Sequence, residues 1–295
     1  MALFLAYVMF PLVGILPGVL VPFPAIFYSL KSGRTVGVAI VAVVMLALAI
    51  MADYPAFMLY VLQCGLISLA LPVFLAAGKG GARSIVFTVA VNMVVILLLA
   101  VVYGALQGVN LHAQVLKGVQ TSIAQTADLY SRAGIKGDDL KTLQQGLEQV
   151  AKLISRIYPA LVAVSLGCIA GINLQLLRRF INRFSEPWLI GEFTGFRNPD
   201  QLVWVLIAAG FAMLVPDRHV TTAAMNLLIV VVSIYFVQGM AIISSFFAIF
   251  TVPKFARFLF YLVLALQPYL SVPVAALGIF DIWGDFRSPR KQENL

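Results

Sequence analysis

Residues 84–111 read SIVFTVAVNMVVILLLAVVYGALQGVNL, without one Asp, Glu, Lys or Arg. About 20 apolar residues cross the ~30 Å hydrocarbon core of a bilayer as a helix, so this stretch alone predicts a membrane span. Residues 1–30, 35–52, 54–78, 157–177, 201–216, 220–253 and 258–280 are likewise free of charge. Of the 295 residues, 62% are hydrophobic and 11% charged, against about a quarter charged in soluble domains. A water-soluble fold of this length has nowhere to hide so much apolar surface. The fold class that follows is all-α, a polytopic transmembrane helical bundle of about seven or eight membrane segments. Residues 1–295 form a single integral membrane domain in this reading.

The formal net charge of +8 sits at the edges of the apolar runs. Lys31 and Arg34, Lys79 and Arg83, Arg178, Arg179 and Arg183, Lys254 and Arg257, and Arg287, Arg290 and Lys291 all flank them. Short basic connections of this kind mark the cytoplasmic side and attract anionic lipid. The partner implied is the lipid bilayer, not nucleic acid. The N-terminus lacks the basic start of a cleavable signal and reads as retained. Its four prolines, Pro11, Pro17, Pro22 and Pro24, divide a span over about 2–20 from a short helix over about 23–31. Further spans are expected at about 35–51, 55–77, 84–106, 157–177, 201–216, 220–250 and 258–280. The first of the last three is short for a crossing, and the second long enough to need tilt or a break. If Arg178 and Lys254 are both cytoplasmic, a single crossing by 258–280 leaves the basic C-terminus outside. Either that segment re-enters, at Pro268 or Pro273, or the charge rule fails at one end.

Residues 107–156 form the one sizeable polar segment, and its pattern is helical. Leu140, Leu143, Leu147, Val150, Ile154 and Ile157 recur at three- and four-residue steps along one face. Asp138 and Asp139 suit the start of that helix, and a weaker helix precedes it over about 111–132. The expectation is an extramembrane amphipathic helical hairpin, lying against the membrane or over the bundle, able to gate it.

Several chemistries are excluded or weakened. His112 and His219 are the only histidines, which rules out a local His-Glu-x-x-His zinc site or a Ser-His-Asp triad spelled within one stretch. Ala77-Gly78-Lys79-Gly80-Gly81 lacks the spacing of a phosphate loop, so the chain does not energise transport with ATP by itself. Cys64 and Cys168 read as buried free thiols. No cofactor, metal or enzymatic activity is expected.

What remains is a set of polar residues inside the spans. An unpaired amide is costly in hydrocarbon, so Gln63, Asn92, Asn173, Asn226, Gln238 and Gln267 should face the bundle interior or a wet cavity. Thr222, Asn226, Ser233 and Ser244 fall within about 40° of one another at 100° per residue. Interhelical hydrogen bonding accounts for such a stripe; the sharper reading is a small-molecule cavity lined by Asn92, Asn226, Ser233 and Gln238. Small residues one turn apart, such as Gly33 with Gly37, let helices approach closely. That pair suits either packing within the chain or docking of another membrane subunit. In the terminal run, Trp283 suits an interfacial anchor, while Asp281, Asp285 and Arg287 suit either a membrane exit or contact with a cation or basic partner.

Some of these residues also carry a resemblance. Pro22-Phe23-Pro24-Ala25, Lys31-Ser32-Gly33-Arg34, Phe196-Arg197-Asn198-Pro199 through Trp204, Asn226-Leu227-Leu228 through Tyr235, Gln238-Gly239 and the terminal Gly-x-x-Asp-x-Trp-x-Asp-Phe-Arg occur in order along nearly the whole chain. With them the sequence resembles the YybS-like family of bacterial integral membrane proteins, which implies a multi-pass protein of the bacterial cytoplasmic (inner) membrane. It is also distantly similar to the substrate-binding membrane subunits of energy-coupling-factor transporters, which borrow a separate scaffold and ATPases. The leading functional expectation is a membrane-embedded small-molecule binding or transport subunit without its own ATPase. The rival is a structural or regulatory membrane protein that recruits envelope or cytoplasmic partners.

Overall fold

The computed structural model describes residues 4, 17–51, 54–108, 111–132, 138–180, 190–284 and 286–287. The expected first span, over about 2–20, and Asp285 therefore lie outside the described residues, apart from Phe4 and 17–20. Every regular element described is helical. In order they are α1 (Phe23–Ser32), α2 (Arg34–Met51), α3 (Tyr54–Tyr60), a π turn (Val61–Gly65), α4 (Leu66–Ala76), α5 (Gly81–Gln107), α6 (Leu111–Arg132), α7 (Asp138–Arg178), α8 (Leu202–Ala212), α9 (Arg218–Ile249), α10 (Lys254–Leu266) and α11 (Ser271–Gly284). Single 3₁₀ turns at Phe193–Gly195 and Pro268–Leu270 break the connections.

By length and composition, five of these stretches can cross a bilayer: Arg34–Met51, Ala56–Ala76, Gly81–Leu106, Asp138–Arg178 and Arg218–Ile249. A sixth follows if the bent pair α10–α11 is one span, and α8 is a shorter apolar helix. The chain is a polytopic helical bundle, as its charge-free runs require. Much of its apolar surface points outward, including Leu97, Leu106, Trp204 and Phe250. In water that would be untenable, whereas against lipid tails it costs nothing.

Two buried clusters hold the N-terminal part together. Ile67, Leu71 and Leu75 of α4 pack with Leu166, Ala170 and Leu177 of α7, beside Ile26 of α1. Val41 and Leu48 of α2 pack with Tyr60 and Cys64 around the π turn. Gly33 adopts φ 104° between α1 and α2, a backbone that favours glycine. Gly37 lies buried against Ser29 and Ala25 of α1, so close packing within the chain uses this small residue.

The C-terminal part is built on α9, a continuous 32-residue helix; of the tilt or break expected for so long a segment, no break occurs. Asp217 caps it: its carboxylate accepts the N–H groups of His219 and Val220 at 2.9 Å each. The Val220 bond above all holds the Asp217 carboxyl below the ordinary aspartate value. At the far end, Arg257 donates to the carbonyls of Phe247 and Val252, both at 2.8 Å, fastening the turn that follows the helix. Helices α7 and α9 run the same way, since Arg156 and Ala160 meet Thr222 and Asn226 and the chain beyond Arg178 reaches Ile234 and Gln238. The return between them is made by α8 and its flanking turns.

Helices α10 and α11 meet at 107°, and the break falls at Pro268, one of the two prolines expected to allow re-entry. Arg287 then bonds to the carbonyls of Thr194 and Phe196, in the same connection whose Glu192 pairs with Arg178 at 3.2 Å. The C-terminal turn is thus tied to the connection that follows α7.

The polar segment is a hairpin of α6 and the first part of α7. Helix α7 is unbroken over 41 residues, about 60 Å at 1.5 Å per residue, twice the hydrocarbon thickness. Residues 138–156 therefore reach about 28 Å beyond the apolar stretch that starts at Ile157.

Candidate functional site

Proline decides where this bundle needs polar side chains. A proline removes one N–H and displaces the carbonyl before it, and in lipid no water replaces the lost partner. Three of the intramembrane amides stand opposite such breaks.

The first is Asn173 on α7. The carbonyl of Val19 has no turn partner, because residue 22 is proline and the Phe23 N–H goes to Leu20. Asn173 Nδ2 donates to that Val19 oxygen at 2.7 Å, and to Ile169 O at the same distance.

The second is Asn226 on α9. Pro159 lies inside α7, and one residue on, Asn226 enters the ladder. Its Oδ1 accepts the Ala160 N–H at 2.9 Å, while its Nδ2 donates to the Arg156 carbonyl at 2.7 Å. Those are the two groups that an uninterrupted i→i−4 ladder would join to each other, so the carboxamide serves the ladder beside Pro159.

The third is Gln238 on α9. Asn198 precedes Pro199 and is driven out of helical geometry; its N–H donates to Gln238 Oε1 at 3.0 Å. Gln238 Nε2 passes the chain on to Asp281 Oδ2 at 2.9 Å. Asp281, 1% exposed, also pairs with Arg287 at 2.6 Å, and its Oδ1 accepts the Phe286 N–H. Loop, α9, α11 and the C-terminal turn are joined in one buried network. The helices can close round it because Gly239 and Gly278 sit at their crossing: a Cβ at Gly239 would strike the Val274 backbone, and one at Gly278 the Tyr235 backbone.

Asn92 on α5 is different. It is fully buried with Thr88 one turn earlier, and its Nδ2 reaches only its own helix, at Thr88 O, 2.8 Å. Asn92 Oδ1 and Thr88 Oγ1 have no partner, and the Gln63 Oε1 and Asn173 Oδ1 atoms are also buried and unpaired. Gln63 lies in the π turn, a helix defect frequent at functional sites. The neighbours here, Val89, Met93 and Ile96 on α5 with Leu166 and Ile169 on α7, are apolar.

The four residues proposed from sequence to line a cavity do not share one recess. Asn92 is on α5, while Asn226, Ser233 and Gln238 are on α9, with α7 packed between the two helices. Ser233 Oγ turns back to Ile229 O at 2.7 Å. Of the candidate partner-binding residues, Asp281 and Arg287 bind each other, Trp283 is 67% exposed as an interfacial anchor would be, and Asp285 is outside the described residues. Cys64 is buried as expected, but Cys168 is exposed, on the outward side of α7. Sequence reasoning missed the union of Asn198, Gln238, Asp281 and Arg287. Its signal was an Asn-Pro step and a Gln-Gly pair in an otherwise apolar run, each too short to show its partner.

Two recesses stand out among the described residues. One, of about 430 Å³, lies between α6 and α7 in the hairpin; the other, of about 310 Å³, is a polar hollow beside Glu192, Arg197, Ser245 and Arg287. Both are open grooves.

Charge-free helices, outward apolar surface and inward amides define a multi-pass helical membrane protein. More narrowly, a family model described as predicted membrane protein (DUF2232) matches residues 1–282, and the chain belongs to that family. No curated protein and no solved structure matches it.

Proposed function

We propose that this chain is a membrane-embedded binding or transport subunit for a small molecule, working without an ATPase of its own. The observation that carries the reading is the pair of unpaired buried oxygens on α5, Asn92 Oδ1 and Thr88 Oγ1. A buried acceptor without a donor costs about 1–3 kcal/mol, and inside a bilayer the cost is not relieved by bulk water. Asn92 Oδ1 can only accept and Thr88 Oγ1 can accept or donate, with no buried charge among the apolar neighbours. The ligand they suit is uncharged and carries hydrogen-bond donors such as hydroxyl or amide N–H. Asn226 and Gln238, already bonded to protein on the far side of α7, hold the bundle together and do not contact the ligand. The basic turns at Lys31–Arg34, Lys79–Arg83, Arg178 and Lys254 suit the cytoplasmic side of a bacterial inner membrane, where a separate membrane or ATPase subunit would supply energy, in the manner of energy-coupling-factor transporters. This last analogy is architectural.

The test is thermal unfolding of the purified protein against a panel of uncharged donor-bearing solutes. A true ligand at a hundredfold excess over its Kd adds about 2.7 kcal/mol of stability. Asn92→Leu is expected to abolish that gain while leaving the unliganded protein folded. If no solute stabilises the protein, or if Asn92→Leu keeps the full gain, the reading fails.

A second reading, recruitment of a protein partner, is favoured by the projecting hairpin and its open apolar groove.

A further inference from the structure

A two-helix hairpin cannot enclose a core, and this one does not. Among its described residues only Ala127 is buried. Val115, Val119 and Ile123 of α6 and Leu147, Val150 and Ile154 of α7 line an open groove. The two hydroxyls among its lining residues are satisfied within their own helix: Ser122 Oγ bonds to Gly118 O at 3.1 Å and Thr126 Oγ1 to Ser122 O at 2.8 Å. Leu129, 66% exposed, and Tyr130 carry the apolar face on toward the tip. At 100° per residue, Lys117, Asp128, Arg132, Lys141, Glu148 and Lys152 fall on the far sides of their helices. Apart from Asp139 near the tip, which falls within about 20° of Val150, the groove face carries no charge and asks for an apolar, helix-sized partner.

We propose that this partner is a second copy of the chain, the two hairpins closing face to face into a four-helix bundle outside the membrane. Three features support it. Copies inserted alike in one membrane present this face at the same height and on the same side, related by a two-fold axis along the membrane normal. Pairing two amphipathic hairpins is the simplest way to give each helix an apolar neighbour on both inner flanks. The size also fits: helices about 33 Å long and ~20 Å wide as a pair give a face of about 650 Å² per copy, or ~1,300 Å² in total, within the range of stable interfaces. A single lipid chain would cover only a strip of that face.

The experiment uses the full chain in lipid nanodiscs, in a Cys168→Ser background. Val119→Cys should give a covalent dimer with a short bis-maleimide, and Lys117→Cys, on the far side, should give none. Particle mass should correspond to two chains, falling to one in the Val119→Asp/Ile123→Asp variant without loss of the thermal transition. The proposal is overturned by one chain per particle in the parent protein. It is also overturned by equal crosslinking at residues 117 and 119, by adducts of Val119→Cys only with other proteins, or by release of bound lipid from the groove variant at unchanged particle mass.

Discussion

Asn226 and Asn92 are the same residue type in the same setting, each inside a long charge-free helix, yet their surroundings are opposite. Around α9, the amide oxygen of Asn226 takes the Ala160 N–H and its nitrogen serves the Arg156 carbonyl. Gln238 likewise accepts from Asn198 and donates to Asp281. On α5, the Asn92 nitrogen bonds only to its own helix and the oxygen to nothing. The difference teaches that an intramembrane amide has two origins. Beside a proline it stands in for missing backbone partners, and its role is structural. Away from any break it has no such duty, and its burial has to be explained by what it binds.

Substitutions separate the two regions, and the largest effect is expected in the α9 network. Arg287→Ala leaves the buried Asp281 carboxylate without its counter-charge, which should cost about 3–5 kcal/mol, read as a large drop in the thermal transition. Replacing Asp281 and Arg287 together by Leu and Met should recover most of that loss; if the double variant is as unstable as the single, the pair is not what holds the C-terminal turn. Next comes the helix crossing. Gly239→Leu drives a side chain into the Val274 backbone, where no rotamer relieves it, so a loss at or above the usual 1–3 kcal/mol for overpacking is expected. On α5 the sign changes. Asn92→Leu removes an unpaired acceptor, and the unliganded protein should be as stable as the parent or slightly more so; a marked loss would mean that the oxygen has a partner after all. The smallest effect belongs to Asp217. Its carboxyl is held below the ordinary aspartate value, so the cap contributes fully at neutral pH and fades only as pH falls through that depressed value. Asp217→Asn should flatten the acid limb of the stability profile and change little near neutrality.

How much of this was legible in the sequence follows from the range of each signal. Charge-free runs are local, and they located the spans at 35–51, 84–106 and 157–177 to within a few residues of α2, α5 and the inner part of α7. The three- and four-residue spacing of Leu140 to Ile157 is local too, and it marked the hairpin. What the spacing could not tell is that its second helix runs on into the span, because Tyr158-Pro159 looks like a boundary. Pro159 does not end α7, since Asn226, 67 residues later, supplies the bridge; no pattern within either segment announces the other. The bend falls at Pro268, one of two prolines in view, and where Arg287 finds its carbonyls is again a long-range fact. The polar stripe on α9 was visible at helical spacing, but periodicity shows that residues share a face and not what that face touches.

The most direct measurement is a double-mutant cycle between Pro159 and Asn226, followed by thermal or denaturant unfolding in one detergent. Asn226→Leu alone strips two buried backbone groups of their partner and should cost about 1–3 kcal/mol. In a Pro159→Ala background, where α7 can close its own ladder, the same change should cost only a few tenths, giving a coupling above about 0.5 kcal/mol. Strict additivity of the two substitutions would contradict the account, because it would mean that Asn226 is not there to serve the break.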